Sequence, residues 1–105
     1  MASSLVLPSA GSLAGQWVIT DKGVSCRVRL ETQEMSTANG YALTLLTPCP
    51  EQLLPASSVA WRPAPDGIAL LAQDGSSTVF FSREGDHYRS DIWNDTGKIL
   101  KRKAG

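Results

Sequence analysis

At 105 residues, 42% hydrophobic and 19% charged, the chain is sized for one domain with a single modest core. Ten Lys and Arg balance ten Asp and Glu, and this zero net charge argues against a general binder of nucleic acid or anionic membrane, which needs a basic excess. No apolar run approaches the roughly 18 residues of a membrane span. No basic segment followed by an apolar one marks a secretory signal, so any such signal is expected to have been removed already.

The organisation expected is a single domain: an N-terminal arm over 1–7, a short helix over 8–14 and a β-barrel over 15–103. Met1 to Leu7 is small, then apolar, and no charged side chain appears before Asp21. Met1-Ala2 reads as a start added to a mature chain or as the remnant of a cleavage site. After Pro8, Ser9 suits an N-cap and Gly15 a C′ position, which leaves room for about one helical turn. So short a helix does not persist alone, and Leu13 is its expected anchor.

From Gly15 the chain reads as strands. Gln16 to Thr20 puts Trp17 and Ile19 on one face, and Asp21-Lys22-Gly23 turns the chain. Val24, Cys26, Val28 and Leu30 then alternate with Ser25, Arg27, Arg29 and Glu31, the period of two that marks a strand with one buried face. Glu34 to Ala38 is polar and leads to the hairpin signal Asn39-Gly40, after which Tyr41, Leu43 and Leu45 share a face. Pro48-Cys49-Pro50 stops that strand, and Glu51 to Leu54 is one helical turn or an irregular loop. Val59 to Arg62 resumes strand character until Pro63-Ala64-Pro65-Asp66-Gly67, which is expected to break it. Runs at Ile68–Ala72, Thr78–Ser82, Tyr88–Trp93 and Lys98–Lys103 follow, separated by turn residues.

Eight short strands joined mostly by tight turns favour an antiparallel meander. Such a meander closes into an all-β, eight-stranded up-and-down barrel and so removes its exposed edges, although a two-sheet sandwich fits the strand count nearly as well. The start Gly15-Gln16-Trp17 after a short helix resembles the first strand of lipocalins and favours the barrel.

The side chains offer little chemistry of their own. His87 has Asp86 beside it but lies at a turn, and Asp91 and Asp95 flank another turn, so no catalytic set emerges and the chain is not expected to be an enzyme or to need a cofactor. Cys26 and Cys49 are open to three readings: a disulfide, two free thiols, or half of a metal site. The spacing is not C-x-x-C and there is one histidine, which weakens the last. A bridge would close a loop of about 22 residues, stabilise by roughly 3 kcal/mol and point to an oxidising compartment. Trp17 and Trp61 are expected to fill the core; Trp93 is ambiguous because Ile92 and Trp93 cannot both face inward on a regular strand. The basic end, Lys98, Lys101, Arg102 and Lys103, reads as a solvated strand end.

Read together, Ser3-Ser4-Leu5, Leu7-Pro8-Ser9-Ala10, Leu13, Gly15-Gln16-Trp17, Cys26 with Arg29-Leu30, Cys49 with Leu53-Leu54-Pro55, Trp61-Arg62-Pro63 with Pro65-Asp66-Gly67, and Phe80-Phe81-Ser82-Arg83 make the chain similar to a known group. It resembles the bacterial metalloprotease inhibitors of the serralysin-inhibitor family, the alkaline protease inhibitors. That resemblance implies a periplasmic, lipocalin-like barrel with one disulfide, Cys26 to Cys49, monomeric when free. It implies a 1:1 complex with a secreted serralysin-type zinc metalloprotease, with no nucleic-acid or membrane partner. Carried onto this sequence, the inhibitory arm is Ser3, Ser4, Leu5, Val6 and Leu7. The amine of Ser3 would face the partner's zinc and the next residues would fill primed-side subsites; Met1-Ala2, ahead of Ser3, departs from the family's serine start. Trp61 and Arg62 are the expected secondary contact. The rival expectation is a lipocalin-like carrier holding a small apolar ligand inside the barrel.

Overall fold

The alternating run that starts at Val24 becomes the second strand of a closed barrel. The computed structural model of the protein describes residues 9–51, 53–90 and 98–102. A one-turn helix, α1 (Ala10–Leu13), precedes β1 (Gly15–Asp21), β2 (Val24–Met35), a 3-10 turn at Ser36–Ala38, β3 (Gly40–Leu45), β4 (Ala60–Ala64), β5 (Gly67–Leu71), β6 (Ser77–Glu84), β7 (His87–Ser90) and β8 (Ile99–Arg102). Each strand pairs antiparallel with the next, and β8 returns to β1, so the eight strands close up-and-down as expected. The expected ends of the seventh and eighth strands, 91–97 with Trp93, Asp91 and Asp95, and Lys103, lie outside the described residues.

Pleat parity decides what fills the barrel. Trp17, Ile19, Cys26, Val28, Leu30, Trp61, Ile68, Leu70, Phe81, Tyr88 and Leu100 form one buried cluster, with Leu13 from α1 and Leu53 and Leu54 from the β3–β4 loop. The last two are carried by a turn in which Leu53 and Leu54 N–H both donate to Pro50 C=O, at 2.8 and 3.0 Å. These two bonds make a turn that delivers both leucines to the core. Cys26 and Cys49 are joined as a disulfide with Cα atoms 5.2 Å apart, which ties the same loop to the inner face of β2.

Two expectations need correcting. The run Pro63-Ala64 does not end β4: the strand continues through both, with Pro63 opposite Ile68 and Ala64 opposite Gly67, and the turn is confined to Pro65-Asp66. Because β3 meets β4 only at Tyr41↔Trp61 and Ala42↔Ala60, Pro63 has a neighbouring strand on one side only, where a residue without N–H is tolerated. Likewise the polar stretch from Glu34 is not all loop. β2 runs on to Met35 through a bulge between Leu30 and Glu34, which bends the strand.

That bend gives the barrel a second, external core. All five residues of β5 are buried, although a barrel strand ordinarily shows water every other side chain. Ala60, Ala69 and Leu71 are covered by Ala38 of the 3-10 turn, with Met35 and Val59 packed alongside. The crossing is tight: a Cβ on Gly40 would stand 2.6 Å from Trp61 O and 2.8 Å from Leu71 Cδ1, so only glycine lets the chain pass there. Asn39, in the left-handed region at φ 55°, ends the 3-10 turn just before it.

Cutting the Cys26–Cys49 bridge should lower stability by roughly 3 kcal/mol, since it frees the loop that holds Leu53 and Leu54. Urea unfolding with and without reductant measures this; coincident midpoints would contradict it.

Candidate functional site

The candidate site is taken as the part of the barrel around α1, the first described element after the expected arm. Its geometry is built on α1. Ser9 sits in extended backbone at φ −78°, ψ 154°, and its Oγ accepts from Ser12 N–H, while Ser12 Oγ donates back to Ser9 O at 2.8 Å. These small hydroxyls close one turn, and Ala14 N–H to Ala10 O completes it at 2.9 Å. Leu13 is 6% exposed and belongs to the barrel cluster. The anchor expected from the sequence is therefore the one found.

A helix end leaves carbonyls without partners. Here three consecutive ones are taken up by side chains of the barrel. Arg102 Nη2–H donates to Ser12 O at 2.8 Å, Trp17 Nε1–H to Leu13 O at 2.8 Å, and Arg102 Nη1–H to Ala14 O at 3.0 Å. The guanidinium also lies 4.5 Å from the centre of the Trp17 ring, a cation–π distance, and the same ring system meets Tyr88 edge-on with centroids 5.6 Å apart. Gly15 makes room for this: it has φ 126°, which other residues rarely adopt, and a Cβ there would stand 3.2 Å from Arg102 Nη1.

Trp61 performs a similar task within the barrel. Its indole N–H donates to Glu31 O at 2.9 Å, in the bulged part of β2, and its ring packs 5.5 Å from Tyr41. Trp61 is fully buried, so the pair expected to touch a partner divides: the indole belongs to the core, and only the half-buried Arg62 reaches solvent. The arm itself, Ser3, Ser4, Leu5, Val6 and Leu7, lies outside the described residues.

Sequence reasoning missed Arg102, read as part of a solvated basic end. The residues it binds are 88 and 90 positions away, so no local pattern reveals the contact; Gly15-x-Trp17 was the one available signal. Elsewhere, His87 Nδ1 lies 3.2 Å from Asp86 Oδ1 and His87 Nε2 3.8 Å from Glu84 Oε1 on the β6–β7 hairpin. The hydrogen bond with His87 holds the exposed Asp86 carboxyl below its ordinary range, with Lys101 adding to the effect. Arg89 closes the group through Glu84 at 3.0 Å. Among the described residues no group of three or more His, Cys, Asp and Glu is placed to hold a metal ion. A pocket of about 330 Å³ lined by Glu34, Met35, Ser36, Asn39, Gly40 and Tyr41 lies at the β2–β3 hairpin.

Comparison with known proteins decides the family. The family described as "Protease inhibitor Inh" matches residues 7–102. The chain belongs to the Inh family of protease inhibitors. This Inh chain is 43% identical over 104 residues to a proteinase inhibitor of Dickeya chrysanthemi, covering 99% of this chain and 86% of that one. It is 44% identical over 104 residues to an alkaline proteinase inhibitor of Serratia marcescens, covering 99% and 83%. In fold it is similar to a psychrophilic marine protease MP inhibitor, with a TM-score of 0.71 at 24% identity over 91% of this chain and 100% of that one.

Trp17→Phe keeps the aromatic volume but withdraws the donor from Leu13 O, leaving a buried carbonyl unpaired. It should cost about 1–3 kcal/mol and speed amide exchange at Ala14 more than at Val28. Uniform exchange across both would contradict the local tie.

Proposed function

We propose that this protein inhibits secreted zinc endopeptidases of the serralysin type, as a 1:1 complex, by laying Ser3 to Leu7 in the active-site cleft with an α-amino group on the catalytic zinc. Membership of the Inh family and relatives named as proteinase and alkaline proteinase inhibitors support the inhibitory part of this reading. One observation supports the arm reading: Ser9 caps a helical turn, and the carbonyls of Ser12, Leu13 and the C-cap Ala14 are all held by barrel side chains. The body thus holds in place the turn that the preceding segment joins. An arm started from a fixed point loses less entropy on docking than one hung from a mobile loop.

The chemistry suits a zinc protease. Catalytic zinc keeps one position open for water, and a neutral amine there displaces the water that would attack the substrate. An α-amino group ionises near pH 8, so its proton is released readily on binding. Extended backbone joins the cleft as an added strand, with Leu5 and Leu7 filling pockets. The Cys26–Cys49 disulfide supports residence in an oxidising compartment, which we take to be the periplasm. The carrier alternative has less support, because the inward side chains pack against one another with Leu13, Leu53 and Leu54 among them.

Three forms of the chain test the proposal against a serralysin-type zinc protease: one starting at Met1, one starting at Ser3, and one lacking Ser3 to Leu7. The Ser3 form should inhibit most tightly and the deleted form should lose nearly all inhibition. Equal inhibition constants for the first two would rule out the Ser3 amine as the zinc ligand. The amine also sets a pH dependence: only its neutral form binds zinc, so inhibition by the Ser3 form should strengthen by up to about tenfold for each unit that the pH rises toward roughly 8. Acetylating that amine should remove the dependence, and a profile unchanged by acetylation would place the titrating group elsewhere.

A further inference from the structure

We infer that Arg102, the last described residue of β8, is a positioning residue for inhibition: by clamping the C-terminal carbonyls of α1 it sets the aim of the arm. This rests on the arm reading above. The geometry separates Arg102 from an ordinary surface arginine. Its guanidinium forms two hydrogen bonds to α1, at 2.8 Å to Ser12 O and 3.0 Å to Ala14 O, and lies over the Trp17 ring. No carboxylate pairs with it among the described residues, so its planar fork is committed to backbone carbonyls on either side of the one that Trp17 holds. Charge-assisted hydrogen bonds are the stronger kind, and two from one rigid group fix orientation as well as position.

What the clamp holds has little stability of its own. α1 has four residues, far below the length at which a helix persists alone, and among the described residues a Cβ at Gly11 would meet nothing within 4 Å. Leu13 and Ala10 pack the turn against the barrel cluster, and Trp17 holds one of its carbonyls. Arg102 adds the carbonyls on both sides of that one. The contact also links the two ends of the described chain, because Trp17 and Arg102 are register partners in the β1–β8 pairing that closes the barrel. Substitution at Arg102 therefore acts on the arm through α1.

The test compares wild type, Arg102→Ala, Arg102→Lys and the form lacking Ser3 to Leu7, all otherwise full chains, in two measurements: inhibition of a serralysin-type zinc protease, and amide exchange in the free proteins. Arg102→Ala should raise the inhibition constant about tenfold through added ordering cost, and should speed exchange at Ser12 and Ala14 while amides at Val28 and Leu70 keep wild-type protection. Arg102→Lys retains the cation over Trp17 but lacks the fork, and should fall between the two. Unchanged inhibition by Arg102→Ala, with or without faster exchange at Ser12 and Ala14, overturns the positioning role. Faster exchange throughout the barrel also overturns it, since Arg102 would then serve overall stability. The arm reading is judged on the deleted form alone: undiminished inhibition there removes that reading, whatever Arg102→Ala does.

Discussion

The closing contact between the first and last strands governs much of what this molecule can do. Trp17 faces Arg102 in the β1–β8 register, and that pairing joins the eighth strand to the first, leaving the meander no open edge. The same pairing brings a guanidinium from the end of the chain over an indole near its beginning. Together those two side chains satisfy three consecutive carbonyls of α1. Barrel closure and helix docking are thus one interaction seen from two sides. A slip of one residue between β1 and β8 would turn Trp17 and Ile19 outward and dismantle both.

Around that closure the barrel uses tryptophan N–H groups as ties. Trp17 holds the helix, and Trp61 holds the carbonyl that the β2 bulge turns toward it, so each large side chain fills volume and leaves no buried donor unpaired. The bulge has a further consequence, for it carries the 3-10 turn across the outside of β4 and β5 and buries a strand on both faces. At the other side of the interior, the disulfide fastens the loop that supplies Leu53 and Leu54. A domain this small has limited core to spend on stability, and covalent closure compensates.

For an inhibitor of the Inh family, a closed barrel is an appropriate body to present to a protease. Inhibition by a terminal segment needs only that the segment reach the cleft in a productive direction. In the proposed mechanism the body would set the direction of that segment through α1, which the closed sheet holds in place. His87, Asp86, Glu84 and Arg89 form a local polar group on one hairpin, in keeping with a scaffold role for that end of β6 and β7.

The sequence by itself determined the strand pattern. Period-two alternation at Val24 to Glu31, and turn residues such as Asn39-Gly40 and Asp66-Gly67, are local signals, because they depend on pleat geometry and on backbone dihedrals of neighbouring residues. The anchoring leucine of α1 was legible for the same reason, as the one large apolar residue in its turn. The arm, Ser3 to Leu7, is an expectation drawn from the resemblance alone and lies outside the described residues. What tertiary structure decided are the non-local pairings. Arg102 meets residues at the far end of the chain, Pro63 stays in a strand because β3 stops short of it, and β5 is buried on both faces because a distant bulge bends over it. None of these has a local signature, since each depends on which strands become neighbours once the barrel closes.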